Sequence, residues 1–193
     1  MTTTTDRRVE ERMVQRTYER LTGRTGAPVR WTLMNDTPVG NIGLADAGHG
    51  LARLHFVTTE DEFAQMLLGD FAGRPVLRGE LDAVRRDLDR YFAGKRMTFS
   101  VPVDLSEVSD FDRRVLAATA RIPAGRVKTY TQVAKEAGNE RASRAAGNAL
   151  HNNPVAIIVP CHRVLRRDGS LGGYGGGLPV KEWLLRHEGA ALL

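Results

Sequence analysis

The segment best equipped for chemistry is Val155-Ala156-Ile157-Ile158-Val159-Pro160-Cys161-His162-Arg163-Val164. An apolar run of strand length leads into Pro160, which cannot donate to a sheet ladder, and then presents a thiol. A thiol attacks as thiolate, and at an ordinary pKa of about 8.5 only a few per cent is ionised near neutral pH. A neighbouring base or cation changes that fraction. His162 adjoins Cys161. Glu188, in Lys181-Glu182-Trp183-Leu184-Leu185-Arg186-His187-Glu188-Gly189, is placed to orient His162 from a nearby helix. The set is nucleophile, base and orienter. Adjacency in sequence is not contact, and an inert buried cysteine beside a strand fits the same residues.

Several short elements must position that set. Helical patterns run over 109–121, 130–137, 140–151 and 179–187. Ser109 or Asp110 is a candidate cap for the first, and Thr129 or Thr131 for the second. The pair joined by Gly138-Asn139 has the outline of a helix-turn-helix, and equally of an ordinary helical hairpin. Gly169 to Gly177 is a low-complexity stretch with six glycines in nine positions. Upstream, residues 29–57 alternate in short runs split by turn residues, which predicts a small antiparallel sheet. Helices are predicted over 60–68 and 76–92, the second closed by Gly94, and a strand over 97–101. Pro102, Asp104 and Ser106 mark a boundary. The expected organisation is an extension at 1–27, carrying an amphipathic helix over 6–22, an α+β domain at 28–105 and a helical domain at 106–193.

Composition narrows the classes. The chain has 193 residues, 41% hydrophobic and 26% charged, which excludes a wholly disordered protein. No apolar run approaches the ~20 residues of a membrane helix, and the N-terminal residues carry no secretory signature. Cys161 is the only cysteine, so no internal disulfide or Cys-rich zinc cluster is available, and a cytoplasmic setting is expected. Residues 1–105 hold 15 basic and 15 acidic side chains. Residues 106–193 hold 13 and 8, so the whole excess of +5 lies there. That asymmetry favours a polyanionic partner, although a solvated basic face gives the same count.

A wider pattern joins these pieces. In order stand Ile122-Pro123-Ala124-Gly125, Thr129-Tyr130, Val133-Ala134, Ser143-Arg144-Ala145-Ala146-Gly147, Asn153-Pro154, Pro160-Cys161-His162-Arg163-Val164, Gly173-Tyr174, Gly176-Gly177-Leu178 and Lys181-Glu182-Trp183-Leu184-Leu185 with Glu188-Gly189. Residues 122–189, about a third of the chain, strongly resemble the O6-alkylguanine-DNA alkyltransferases, also called methylated-DNA–protein-cysteine methyltransferases. The resemblance of 29–105 concerns layout more than motif.

The resemblance implies a ribonuclease H-like N-terminal domain and a winged-helix-like C-terminal domain. It implies that Cys161 takes an alkyl group from O6 of guanine irreversibly, with His162 as base through a water, Glu188 as its orienter and Asn153 bracing the turn. The damaged base must leave the duplex. Arg144 would fill the vacated stack, Tyr130 would contact the flipped nucleotide, and Ala145, Ala146 and Gly147 would let the helix approach the backbone. Val164, Tyr174 and Gly175 would line the pocket. Many members of the family have Ser where Gly175 stands, a change that removes a hydroxyl and leaves room for larger alkyl groups. No cofactor and no metal are implied, since the zinc of some animal members needs a second cysteine. The implied partner is double-stranded DNA containing O6-alkylguanine, with O4-alkylthymine a further candidate, met by a monomer away from membranes. The rival class is a non-catalytic lesion-binding or regulatory protein on the same scaffold. Cysteine-free homologues of that kind carry another residue at the position of Cys161.

Overall fold

The computed structural model describes residues 26–190, together with residues 9, 12–14, 16, 17, 19 and 20. The helix expected over 6–22 lies in large part outside the described residues. Those described within it are helical, with Val9, Met13 and Val14 exposed.

Alternating apolar residues build a sheet with two buried faces. Strands β1 (Val29–Thr37), β2 (Gly40–Asp46) and β3 (Leu51–Phe56) pair antiparallel, and β4 (Val76–Arg78) joins β1 in parallel. The order is β3-β2-β1-β4. On one face Trp31, Ala45 and Ala52 pack under Phe63 and Leu67 of α1 (Glu60–Asp70). The helix lies so close that a Cβ on Gly43 would come within 2.6 Å of the Phe63 ring. On the other face Ile42, Leu44, Leu51 and Leu54 meet Val84, Leu88 and Tyr91 of α2 (Asp82–Phe92). This second core continues into the helical half of the chain.

In this half of the chain two predicted elements differ. The single helix over 76–92 is instead β4, an irregular link over 79–81 and then α2. Gly79 N–H donates to Trp31 O at 3.0 Å, so the sheet captures the segment before a helix can start. The strand over 97–101 does not form. Asp87 accepts from both the backbone N–H and the hydroxyl of Ser100 at 2.8 Å, which ties the segment to α2 rather than to a ladder. Gly94 does close α2, at φ +70°.

The second half holds α3 (Asp110–Ala120), α4 (Tyr130–Glu136), α5 (Ser143–His151) and α6 (Leu178–His187). Short β5 (Lys128–Thr129) and β6 (Val164–Leu165) pair in parallel. Ser109 caps α3. Thr129 caps α4 reciprocally with Gln132, which fixes the angle at which the chain enters Tyr130. Helices α3, α4 and α5 pack on one another. Leu54 N–H donates to Pro154 O at 2.8 Å, so the sheet edge touches the segment leading to Cys161.

Candidate active site

The apolar run 155–159 is not the expected strand. It makes one bridge, Val155 to Leu54, and then coils into a buried turn with Ile157 at φ +67°. Asn153 explains why. Its Oδ1 accepts from Val155 N–H at 3.1 Å and its Nδ2 donates to Val159 O at 2.8 Å. Val159 N–H also donates to Val155 O at 2.9 Å, so the turn satisfies its own backbone. A β-branched residue in the left-handed region is costly, and these bonds hold it there. The turn ends in a single 3-10 turn, Cys161–Arg163.

Asn153 Nδ2 also lies 3.2 Å from Cys161 Sγ. His162, fully buried, points its Nε2 at Glu188 Oε1, 2.9 Å away. A carboxylate only accepts, so Nε2 carries the proton and Nδ1 is the basic nitrogen. Nδ1 is buried and has no hydrogen-bond partner within the protein, as does the Tyr174 hydroxyl. Arg163 Nε and Nη2 clasp both oxygens of Glu188 at 2.7 Å, while Nη1 donates to Ile122 O. Tyr91 of α2 donates to Glu188 Oε1 at 2.7 Å.

The electrostatics follow from burial against these bonds. Burial alone would raise the Glu188 carboxyl, but hydrogen bonds from His162 and Arg163 and their charges pull its pKa down to about 2. Burial pushes His162 down, against the pull of Glu188. Burial pushes the Cys161 thiol up, offset in part by the Asn153 bond and the Lys181 charge. The resting pair is therefore neutral thiol and neutral imidazole beside a permanent carboxylate. Lys181 is itself buried. Its ammonium donates to Val164 O at 2.7 Å and to Leu171 O, and burial draws its pKa down to about 8.

Cys161 forms part of the wall of a cavity of about 690 Å³, within the usual range for ligand pockets. Tyr130, Arg144, Gly147, Tyr174 and Gly175 line it, with Arg166 and Arg167 at the β6 turn. Asn153 lines a smaller adjoining cavity of about 80 Å³ that shares Cys161, Tyr174 and Gly175. A Cβ on Gly175 would meet nothing within 4 Å, whereas one on Gly176 would come within 2.7 Å of Phe56. Ala145 is exposed on α5, beside Arg144. Val164 is the exception among the expected pocket residues. It is fully buried in the β5–β6 pair and lines neither cavity, because the 3-10 turn directs it inward.

Reading the sequence missed Tyr91, Arg163 and Lys181. Lys181 had a signal: on α6 it stands three and four residues before the buried Leu184 and Leu185, on the apolar stripe. Tyr91 shares a stripe with Val84 and Leu88, which announces burial but no partner 97 residues away. Nothing in the sequence pairs Arg163 with Glu188. Among the described residues no three His, Cys, Asp or Glu cluster as metal ligands, and no helix is long and apolar enough to cross a membrane.

Known proteins resemble this chain in sequence and in fold. Residues 29–105 match the family described as 6-O-methylguanine DNA methyltransferase, ribonuclease-like domain, and residues 110–190 match its DNA binding domain. A methylated-DNA–protein-cysteine methyltransferase of Methanosarcina barkeri is 38% identical over 153 residues, covering 79% of this chain and 93% of that protein. One from Rattus norvegicus is 36% identical, covering 83% and 82%. The crystal structure of Mycobacterium tuberculosis O6-methylguanine methyltransferase superposes with a TM-score of 0.71 at 36% identity, over 83% of this chain and 93% of that one. The M. tuberculosis OGT in complex with DNA gives 0.70 at 34% identity, over 84% and 92%. With both halves matched at these identities and the fold shared along most of the chain, this protein belongs to the methylated-DNA–protein-cysteine methyltransferase family.

Proposed function

We propose that this protein repairs DNA by direct reversal, moving the alkyl group from O6 of guanine to its own Cys161. The observation that carries the reading is a thiol in the wall of a nucleotide-sized cavity, backed by a buried His162–Glu188 pair. The chain acts as two domains, 28–105 and 106–193, preceded by the extension at 1–27. The first is ribonuclease H-like and the second winged-helix-like, a division supported by the sheet and the capped helices. The protein works as a cytoplasmic monomer on double-stranded DNA containing O6-alkylguanine.

The mechanism uses the neutral resting pair. Sγ attacks the alkyl carbon in line with the C–O6 bond. The S–C bond forms as the C–O6 bond breaks, and that electron pair goes to the guanine. The thiol proton passes through a bridging water to His162 Nδ1, and Glu188 stabilises the imidazolium. The guanine anion takes up a proton at N1 as the imidazolium gives its proton back, directly or through water, so no net charge is left. Asn153 and the Lys181 ammonium favour the developing thiolate. The Tyr174 hydroxyl and the amides of the glycine loop offer donors to O6, an oxyanion-type role. The thioether has no easy route back, so each molecule acts once.

Arg144 fills the stack left by the flipped base, as a planar cation can, and Tyr130 offers its hydroxyl to the extruded nucleotide. Ala145 and Gly147 keep α5 close to the DNA backbone. The open space at Gly175 suits alkyl groups larger than methyl.

The test is stoichiometric transfer from duplex DNA containing O6-methylguanine, read by intact mass and peptide mapping. One methyl group per molecule on Cys161 is expected. Cys161→Ser abolishes transfer, because a hydroxyl is scarcely ionised, and retains DNA binding, because phosphate contacts do not use the thiol. Repeated turnover, or DNA binding with no transfer by the unaltered protein, overturns the reading.

A further inference from the structure

Glu188 is held from outside its own half of the chain. It stands at the C-terminal cap of α6, and Gly189 follows at φ +73°, so the backbone beyond it no longer fixes its direction. Its orientation must come from its partners. Arg163 and His162 belong to the same 3-10 turn and move with the thiol. Tyr91 does not. It lies in the last turn of α2, in the N-terminal half of the chain, and is fully buried. The end of α2 grips two consecutive residues of α6. The Tyr91 hydroxyl donates to Glu188 Oε1 at 2.7 Å, and the Tyr91 carbonyl accepts from His187 Nε2 at 2.7 Å. The His187 ring meets the Tyr91 ring edge-on at 5.1 Å and stacks on Trp183 at 4.7 Å.

We propose that Tyr91 is a positioning residue for the Cys161–His162–Glu188 relay, through which the N-terminal half takes part in alkyl transfer. This rests on the reading of Cys161 and His162 given above. Oε1 divides its electron density among the Tyr91 hydroxyl, Arg163 Nη2–H and His162 Nε2–H. The Tyr91 donor has two consequences. It fixes the carboxylate where His162 needs it, and it draws density away from the His162 bond, which restrains imidazole basicity. The charged and titratable groups around His162 are Cys161 and Arg163 in its own turn, Glu188 and Lys181 from α6, and Tyr174 from the glycine loop. Tyr91 and His187 stand behind Glu188.

The experiment compares the full-length protein with Tyr91→Phe, Glu188→Gln and the double variant, in single-turnover transfer from O6-methylguanine duplex across pH. Rate constants are read rather than end points, because they do not scale with the folded fraction. Tyr91→Phe lowers the plateau rate by about 3- to 10-fold, the worth of one hydrogen bond, and moves the acid limb to higher pH. In the Glu188→Gln background the same change alters the rate by less than about two-fold, because the carboxylate it acts through is gone. Equal slowing in both backgrounds with an unmoved pH profile, or no slowing at all, overturns the proposal. A second measurement is independent of transfer: magnetic resonance of the His162 ring nitrogens in the unreacted protein. Tyr91→Phe shifts the imidazole titration upward, and an unmoved titration overturns the proposal. If the unaltered protein accepts no methyl group, the functional reading fails, and the His162 titration still decides the role of Tyr91.

Discussion

At Cys161 the surroundings pull in opposite directions. Burial disfavours the thiolate, while the Asn153 amide and the Lys181 charge favour it. The resting thiol therefore stays protonated, and on the proposed mechanism His162 takes its proton when substrate is bound. On the proposed reading, flipping and chemistry separate at two residues. If Arg144 fills the vacated stack, Arg144→Ala raises the cost of extruding a paired base by a few kcal/mol at most. It should react slowly with O6-methylguanine in duplex DNA and almost normally with the free base O6-benzylguanine. Glu188→Gln should slow both substrates. Uniform slowing by Arg144→Ala, with unchanged circular dichroism, would place Arg144 in the pocket instead. Glu188 also sets a pH limb. Its folded pKa of about 2 lies below the ordinary 4.5, so its contribution to stability is complete above 4.5 and is lost as pH falls toward 2. Glu188→Gln leaves Arg163 without its carboxylate and should cost about 3 kcal/mol near neutral pH. The difference from the unaltered protein should shrink between about pH 5 and about 2, measured by urea unfolding.

Among the elements, α4 shows how a local signal reaches the site. Thr129 and Gln132 bond reciprocally across its first turn, at 3.3 and 2.7 Å, and Tyr130 is its first residue. Thr129→Ala should cost about 1 kcal/mol in urea unfolding. Because the cap aims Tyr130 at the cavity, duplex transfer should slow more than transfer from the free base. The segment 97–101 teaches the converse. Its alternating residues suit a strand, but Asp87 takes the Ser100 donors, and the local pattern yields to one buried carboxylate. The Ile157 turn is similar. Five apolar residues read as a strand, and the Asn153 side chain makes a turn of them.

The whole molecule divides its charge unevenly. All of the net +5 resides in 106–193, and Arg144, Arg166 and Arg167 line one cavity there. DNA binding should weaken steeply with salt and vary little with sequence. Each phosphate contact contributes about −0.9 to the slope of log affinity against log salt. Arg167→Ala should make the slope shallower by up to about 1, measured by fluorescence anisotropy across a salt series. Arg30→Ala, in the charge-balanced half, should leave it unchanged.

The sequence by itself placed most of the helices, narrowed their caps to neighbouring pairs and singled out the lone thiol. Those depend on residues within a few positions of each other: Ser109 before α3, Thr129 with Gln132, Gly94 after α2, and Cys161 beside His162. Spacing carries the apolar stripe Val84, Leu88 and Tyr91, but not the burial of Lys181, Arg163 and Glu188. Only the tertiary structure decided what those buried groups meet. The parallel β4, the Asp87 bonds to Ser100, the inward turn of Val164 and the four donors on Glu188 all pair residues across loops or across the core. Such pairings are set by how the sheet and helices close on one core, and spacing along the chain carries no trace of them.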